Sequence, residues 1–151
     1  MFVDNASEIM QQSWGLKNIT KMAMNDTLAA TLNNIINAEK VGKSICIVRP
    51  VSKVTKTILN LMNDNKYLGS INVVEDGKGG YFEINLIGGI NKCGAIKPRF
   101  SATISEFDKF EKRFLPAKDF GMIIISTSKG IMTLKEAREK NLGGKLLAYI
   151  Y

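Results

Sequence analysis

The hydrophobic positions of this chain change period several times, and each change marks an element. After Asn25 and Asp26, Leu28, Leu32, Ile35 and Ile36 fall at i, i+4, i+7 and i+8, the stripe of one helix face. Either polar residue before it can cap the first turn by accepting orphan N–H bonds, and Gly42 supplies a stop. Ser44–Arg49 is rich in β-branched residues and predicts a strand, which Pro50 ends. A second helix is expected from near Ser52 to about Lys66, with Val54, Ile58, Leu61 and Met62 on one face. Ile71–Val74 and Tyr81–Ile87 read as a hairpin across Glu75–Gly80, with glycine supplying positive φ at the turn. The order to this point is αβαββ.

Gly88-Gly89 through Gly94 reads as a connecting stretch, with a boundary near residue 95. Arg99–Ile104 alternates as a strand. Ser105 is placed to cap a short helix carrying Phe107, Phe110 and Phe114, which at helical spacing read as core rather than as a base-stacking platform. Met122–Ile125 is an apolar strand. Thr133-Leu-Lys-Glu136 is a capping box opening a helix that ends with Arg138 and Lys140, where cations suit the macrodipole. Gly143-Gly144 breaks it, and Lys145–Tyr151 is a final strand. Residues 1–23 hold isolated Ile9 and Trp14 and no lasting stripe, as expected of a loose extension or an arm that contacts a partner. The expected fold class is α/β (α+β), in two small packed domains. An extension of residues 1–23 leads to an αβαββ domain of residues 24–95 and a β-rich domain of residues 96–151 with short helices.

Composition removes several functions. At 151 residues the chain suits one domain or two small ones sharing a core. No apolar run approaches the roughly 18 residues a membrane span needs, and Asp4 and Glu8 near the start do not suit a secretory signal. There is no histidine, which removes Ser-His and Cys-His nucleophile pairs and the commonest general base. Cys46 and Cys93 are too far apart in sequence for a Cys-x-x-Cys site and are expected to be reduced, buried thiols. No metal and no cofactor are expected. No pair of carboxylates is set by spacing against a nucleophile, so no catalytic residue is assigned. Twenty-one Lys and Arg oppose fourteen Asp and Glu, for a net charge of +7, and in the first 21 residues the charges cancel. A compact body with that excess attracts polyanions, nucleic acid above all.

Four groups could meet one. Ile125-Ser-Thr-Ser-Lys-Gly-Ile-Met-Thr133 reads as a loop from a buried strand to a capped helix. Its hydroxyls at Ser126, Thr127 and Ser128 suit ribose 2′-OH groups and minor-groove edges, Lys129 suits a phosphate, and Gly130 permits close backbone approach. Local turn satisfaction is the plainer use of the same residues. Lys97 and Arg99 flank Pro98, which fixes an extended backbone, so both should project in a defined geometry. Arg49, Lys53 and Lys56 form a third basic group, the last two i, i+3 on the second helix. Thr31, Asn34 and Asn37 are candidates for an exposed face of the first helix opposite Leu28 and Leu32. A nucleotide-triphosphate loop would need Gly-x-x-x-x-Gly-Lys-Ser/Thr, and no such string occurs.

Several ordered strings carry a resemblance. They are Asn37-Ala-Glu-Lys40, Val48-Arg-Pro-Val-Ser-Lys53, Ile90-Asn-Lys-Cys-Gly-Ala-Ile-Lys-Pro-Arg-Phe100, Phe114-Leu-Pro116, Ser126-Thr-Ser-Lys-Gly-Ile-Met-Thr133, Glu136-Ala-Arg138 and Gly143-Gly-Lys-Leu-Leu-Ala-Tyr-Ile-Tyr151. Together, over about residues 24–151, they resemble the universal small-subunit ribosomal protein eight family, called fifteen-a in eukaryotes, in its archaeal and eukaryotic branch. The resemblance implies two packed α/β domains and no enzyme. It implies a structural protein that binds the central domain of small-subunit rRNA early in assembly. Ser126, Thr127, Ser128 and Gly130 stand where that family contacts a distorted minor groove, and the first helix also approaches RNA there. The implied partners are small-subunit rRNA and neighbouring small-subunit ribosomal proteins, with the chain a monomer within a cytoplasmic ribosome and no membrane. An RNA-binding repressor acting on an mRNA that mimics the rRNA site is the alternative, and a small nucleotide hydrolase is a more distant one.

Overall fold

A computed structural model describes residues 26–49 and 51–151. The reading of residues 1–23 and the strand-ending role of Pro50 lie outside these described residues.

The architecture is α+β. Helix α1 spans Thr27–Val41, with Asp26 accepting from the Ala29 N–H at 3.2 Å. Gly42 at φ +79° closes it, and its N–H donates to the Glu39 carbonyl. Strand β1 is Ile45–Val48 and helix α2 is Lys53–Asp64. Strands β2 (Leu68–Val74) and β3 (Tyr81–Leu86) form the expected hairpin, and β3 lies between β1 and β2, antiparallel to both. The buried stripe of α2 is Thr55, Ile58, Leu59 and Met62, so Val54 faces solvent and Leu61 is only half-buried. Val54 and Leu61 flank that stripe, and the packing against β2 sets which residues turn inward.

The second sheet runs β4 (Cys93–Ala95), β8 (Gly144–Ile150), β6 (Met122–Thr127), β7 (Gly130–Thr133), with β5 (Ser101–Ala102) also paired to β8. Strands β4 and β7 fall where the pattern predicts a connecting stretch and a loop, because strands of three and four residues carry too little alternation to register. Strand β5 is shorter than the expected Arg99–Ile104. Thr103 leaves the strand to form a cap with Glu106, the Thr103 N–H donating to the Glu106 carboxylate at 3.0 Å. Thr103, rather than Ser105, therefore opens the 3-10 turn Ile104–Glu106 that leads into α3 (Phe107–Phe114). Helix α4 is Leu134–Glu139, capped by the Thr133 hydroxyl, which accepts from the Glu136 N–H at 3.4 Å.

Strand β6 is apolar without alternation because both its faces are covered. Ile124 joins the core formed with α1, α2 and the first sheet, while Ile123 and Ile125 join the core under α3 and α4. Met122, Leu147, Ala148 and Ile150 of the second sheet also sit in the first core, and α1 packs on both β1 and β4. The two sheets thus share buried surface. Cys46 and Cys93 are free and buried. Cys93 donates to the Leu32 carbonyl at 3.4 Å, and burial, with Glu39 nearby, pushes its thiol up to about 12. No helix among the described residues is long and apolar enough to cross a membrane.

Candidate nucleic-acid interface

The hydroxyl-rich string is a tight hairpin rather than a loop leading into a helix. Ser126 pairs with Ile131 and Thr127 with Gly130, which leaves Ser128 and Lys129 as a two-residue turn. Neither turn residue has positive φ, and Gly130, at φ +120°, takes up the strand twist that such a turn leaves unmatched. The Thr127 hydroxyl works inside the turn. It donates to the Gly130 carbonyl at 2.9 Å and accepts from the Lys129 N–H at 3.2 Å. Its side chain is half-buried, and through these two bonds it braces the tip.

Ser128, Lys129 and Gly130 are exposed, and neither the Ser128 hydroxyl nor the Lys129 ammonium has a partner among the described residues. A Cβ built on Gly130 would meet nothing within 4 Å, so the space over the tip is open. Ser126 is half-buried in mid-sheet opposite Lys145 of β8, and register partners share a sheet face. Lys145 is a cation that sequence reading left unassigned. Its place in the final strand was legible, but its pairing with Ser126 was not. The adjacent β8 backbone runs so close to β6 that a Cβ on Gly144 would stand 2.1 Å from the Ser126 carbonyl oxygen.

The other candidates divide. Lys97 is exposed, but its ammonium lies 2.8 Å from the Asp26 carboxylate that caps α1. Burial alone would raise the Asp26 carboxyl. The Lys97 hydrogen bond, the Ala29 N–H and the charges of Lys97 and Arg99 outweigh it, and hold the group below its ordinary value. The Lys97–Pro98 peptide is cis and the chain bends there instead of running extended. Arg99 is exposed and makes no ion pair among the described residues.

Arg49 does not group with Lys53 and Lys56. Its guanidinium sits 4.9 Å from the Tyr81 ring centre and 3.5 Å from Asp76, on the sheet face away from α2, while Lys53 and Lys56 are exposed on that helix. The Asp76 carboxyl is held low chiefly by the Lys78 and Gly80 N–H groups. Thr31 is buried, and its hydroxyl donates to the Thr27 carbonyl at 2.8 Å. It lies three residues from Leu28 and four from Ile35, and so belongs to the apolar stripe rather than to the opposite face. Asn34 and Asn37 are exposed and line a groove beside β1 with Lys43 and Ile45.

Among the described residues no group of three or more His, Cys, Asp or Glu side chains is arranged to hold a metal ion. What the hairpin offers is two donors and a bare backbone at a braced tip, a surface suited to hydrogen bonding and charge neutralisation.

Residues 26–151 match the family model described as Ribosomal protein S8. Over 130 residues the chain is 52% identical to the Small ribosomal subunit protein uS8 of Methanococcoides burtonii, covering 86% of this chain and 100% of that protein. The family match begins where the described fold begins, at the residue that caps α1. The chain therefore belongs to the ribosomal protein S8 family, in its archaeal and eukaryotic branch, a structural and non-enzymatic family.

Proposed function

We propose that this chain is a structural constituent of the small ribosomal subunit, and that it binds the central domain of small-subunit rRNA early in assembly through the β6–β7 tip. The observation that carries this reading is the tip itself, where Ser128 and Lys129 are exposed and unpartnered over a turn braced by Thr127. A-form RNA presents a wide, shallow minor groove lined with 2′-hydroxyls, which a protruding turn can contact. The Ser128 hydroxyl both donates and accepts, as a 2′-OH does. Lys129 neutralises a phosphate, and the open side of Gly130 lets the sugar–phosphate chain approach the backbone. Lys145 and Ser126 extend the contact along the sheet face. Arg99, Lys53, Lys56, Asn34 and Asn37 supply further exposed donors, whereas Thr31, Lys97 and Arg49 are engaged within the protein. Belonging to a family named for the ribosome supports the same partner and a place in the cytoplasmic ribosome.

The test is binding to small-subunit rRNA and to a control duplex of equal length across a salt series. Ser128→Ala is expected to lose about 1–3 kcal/mol of specific binding, the cost of a group left unpaired in an interface. Lys129→Ala is expected to lower the slope of log affinity against log salt by about 0.9, one phosphate contact, on either RNA. Equal loss on rRNA and control with Ser128→Ala would overturn the assignment of register to this hydroxyl.

A further inference from the structure

A cavity of about 200 Å³ opens between the first half of the chain and the second. Tyr67, just before β2, lines it from the first half. Glu111 of α3, Leu115 just after that helix, Met122 of β6, and Leu134 and Lys135 of α4 line it from the second. Met122 and Thr127 are the opposite ends of β6, so the cavity lies roughly 17 Å from the hairpin tip. Glu111 is its unusual member. The side chain is 9% exposed, yet the carboxylate makes no hydrogen bond among the described residues. The Arg138 guanidinium stands 3.6 Å from it, beyond hydrogen-bond reach, and gives its 2.8 Å bond to Asp108 instead. A buried carboxylate is costly unless donors reach it, and the cavity is where they can come from.

The mouth has a different character. Exposed Lys66 adjoins Tyr67, exposed Lys118 adjoins Asp119, and Lys135 reaches Asp119 at 3.3 Å, so three cations there face one carboxylate. Phe120 follows Asp119 and is 51% exposed, although a ring of its size is ordinarily buried. Its N–H donates to the Ala117 carbonyl at 3.2 Å, which closes the loop that holds the ring there. A ligand that suits all of this brings N–H donors to Glu111, a flat apolar body to Leu115, Met122 and Phe120, and negative charge to the lysines. An amine answers Glu111 but meets the cations at the mouth. A plain anion answers the cations but meets Glu111. A nucleotide entering base first answers both. A carboxylate only accepts, and among the four RNA bases guanine alone presents two parallel N–H donors on one edge.

We propose that this cavity takes a guanine base. Glu111 accepts from the N1–H and N2–H of the base, Phe120 stacks on it, and Lys66, Lys118 and Lys135 face its phosphate, the combination of edge reading, stacking and charge by which unpaired bases are held. The base belongs to a free guanine nucleotide or to an unpaired guanosine of an RNA. The site shares no residue with the β6–β7 tip and goes beyond the function proposed for it.

The test titrates the full chain with the monophosphates of guanosine, inosine and adenosine, and with short oligouridylates carrying one central guanosine or adenosine. Guanosine ligands are expected to bind roughly tenfold or more tighter than their adenosine counterparts, the scale of one bidentate base contact. Inosine, which lacks the N2 donor, is expected to fall between them. Glu111→Gln is expected to abolish the preference, and Phe120→Ala to weaken guanosine and adenosine binding alike. Tighter binding of the guanosine oligonucleotide than of the monophosphate assigns the site to RNA, the reverse assigns it to a free nucleotide, and either supports the proposal. Equal binding of guanosine and adenosine forms, no binding of any ligand, or a preference that survives in folded Glu111→Gln overturns it. Inosine binding equal to guanosine binding, measured on the unaltered chain, overturns the bidentate contact whether or not Glu111→Gln folds. None of these ligands is a duplex, so failure here leaves the hairpin reading intact.

Discussion

Glu39, near the end of α1, has both carboxylate oxygens shielded from water and turned toward the backbone N–H groups of residues 88–90. Burial pushes its carboxyl up, and the N–H groups of Ile90, Gly88 and Gly89 offset only part of that. A carboxyl whose folded value is raised stabilises fully below its unfolded value, and loses that stability as pH rises through the folded one. Glu39→Gln, which removes the charge and keeps the shape, is therefore expected to raise stability at neutral pH by about 1 kcal/mol. The gain should disappear on acidification, read from urea midpoints at both pH values. A gain that is the same at both would show that charge is not the cause. The hydrophobic pattern does not mark Glu39 as buried, since a glutamate beside Lys40 in the last turn of a helix reads as solvated surface. Only the return of the chain at residues 88–90 covers it. Thr31 misled for a related reason. A hydroxyl looks like surface until the i−4 carbonyl is seen to take its proton inside the helix.

At the scale of elements, the chain's long periodic pieces were legible and its short ones were not. The stripe Leu28–Ile36 gave α1 and its cap, and the run Met122–Ile125 gave the body of β6, because burial writes itself into several residues at once. Strand β7 and the turn before it were hidden, since Ser-Thr-Ser-Lys-Gly is equally good as a loop and as the corner of a hairpin. The residues of the candidate interface were therefore found from their chemistry, while their arrangement, with Thr127 inside and Ser128 outside, was not. Two glycines near this corner serve different ends, and substitution should separate them. Gly130→Ala meets no atom, only the cost of φ +120° for a side chain, and is expected to lose about 1 kcal/mol. Gly144→Ala drives a Cβ into the Ser126 carbonyl and is expected to lose about 3 kcal/mol or more, because β8 must move off β6. Urea denaturation of both variants checks the order, and a reversed order would mean that the strands separate there without cost.

Across the whole molecule, the ion pair of Lys97 with Asp26 fastens the connection between β4 and β5 of the second sheet to the start of the first helix. Because the Asp26 carboxyl is held low, its contribution is present above the unfolded value and is lost as pH falls through the folded one. Glu106 and Asp76, also held low, add to stability in the same direction. Asp26→Asn keeps a competent cap but gives up the charge. It is expected to cost about 0.5–1 kcal/mol at neutral pH, as Lys97 is well exposed, and progressively less as pH falls through the folded Asp26 value. A pH-independent cost would place the effect in the cap. The sequence signalled both residues, one as cap and one as RNA contact, but not that they meet, since contact between distant segments leaves no periodicity to read. The same long reach governs how the second sheet comes into being. Strand β8 is synthesised after β4, β5 and β6, and it is the strand to which all three pair. Until β8 emerges, the nascent chain holds the apolar edge of β6 open beside a β6–β7 hairpin that needs only its own local pairing. The corner proposed to meet RNA is thus among the first parts of this half to take shape, and the strand that makes it rigid is the last.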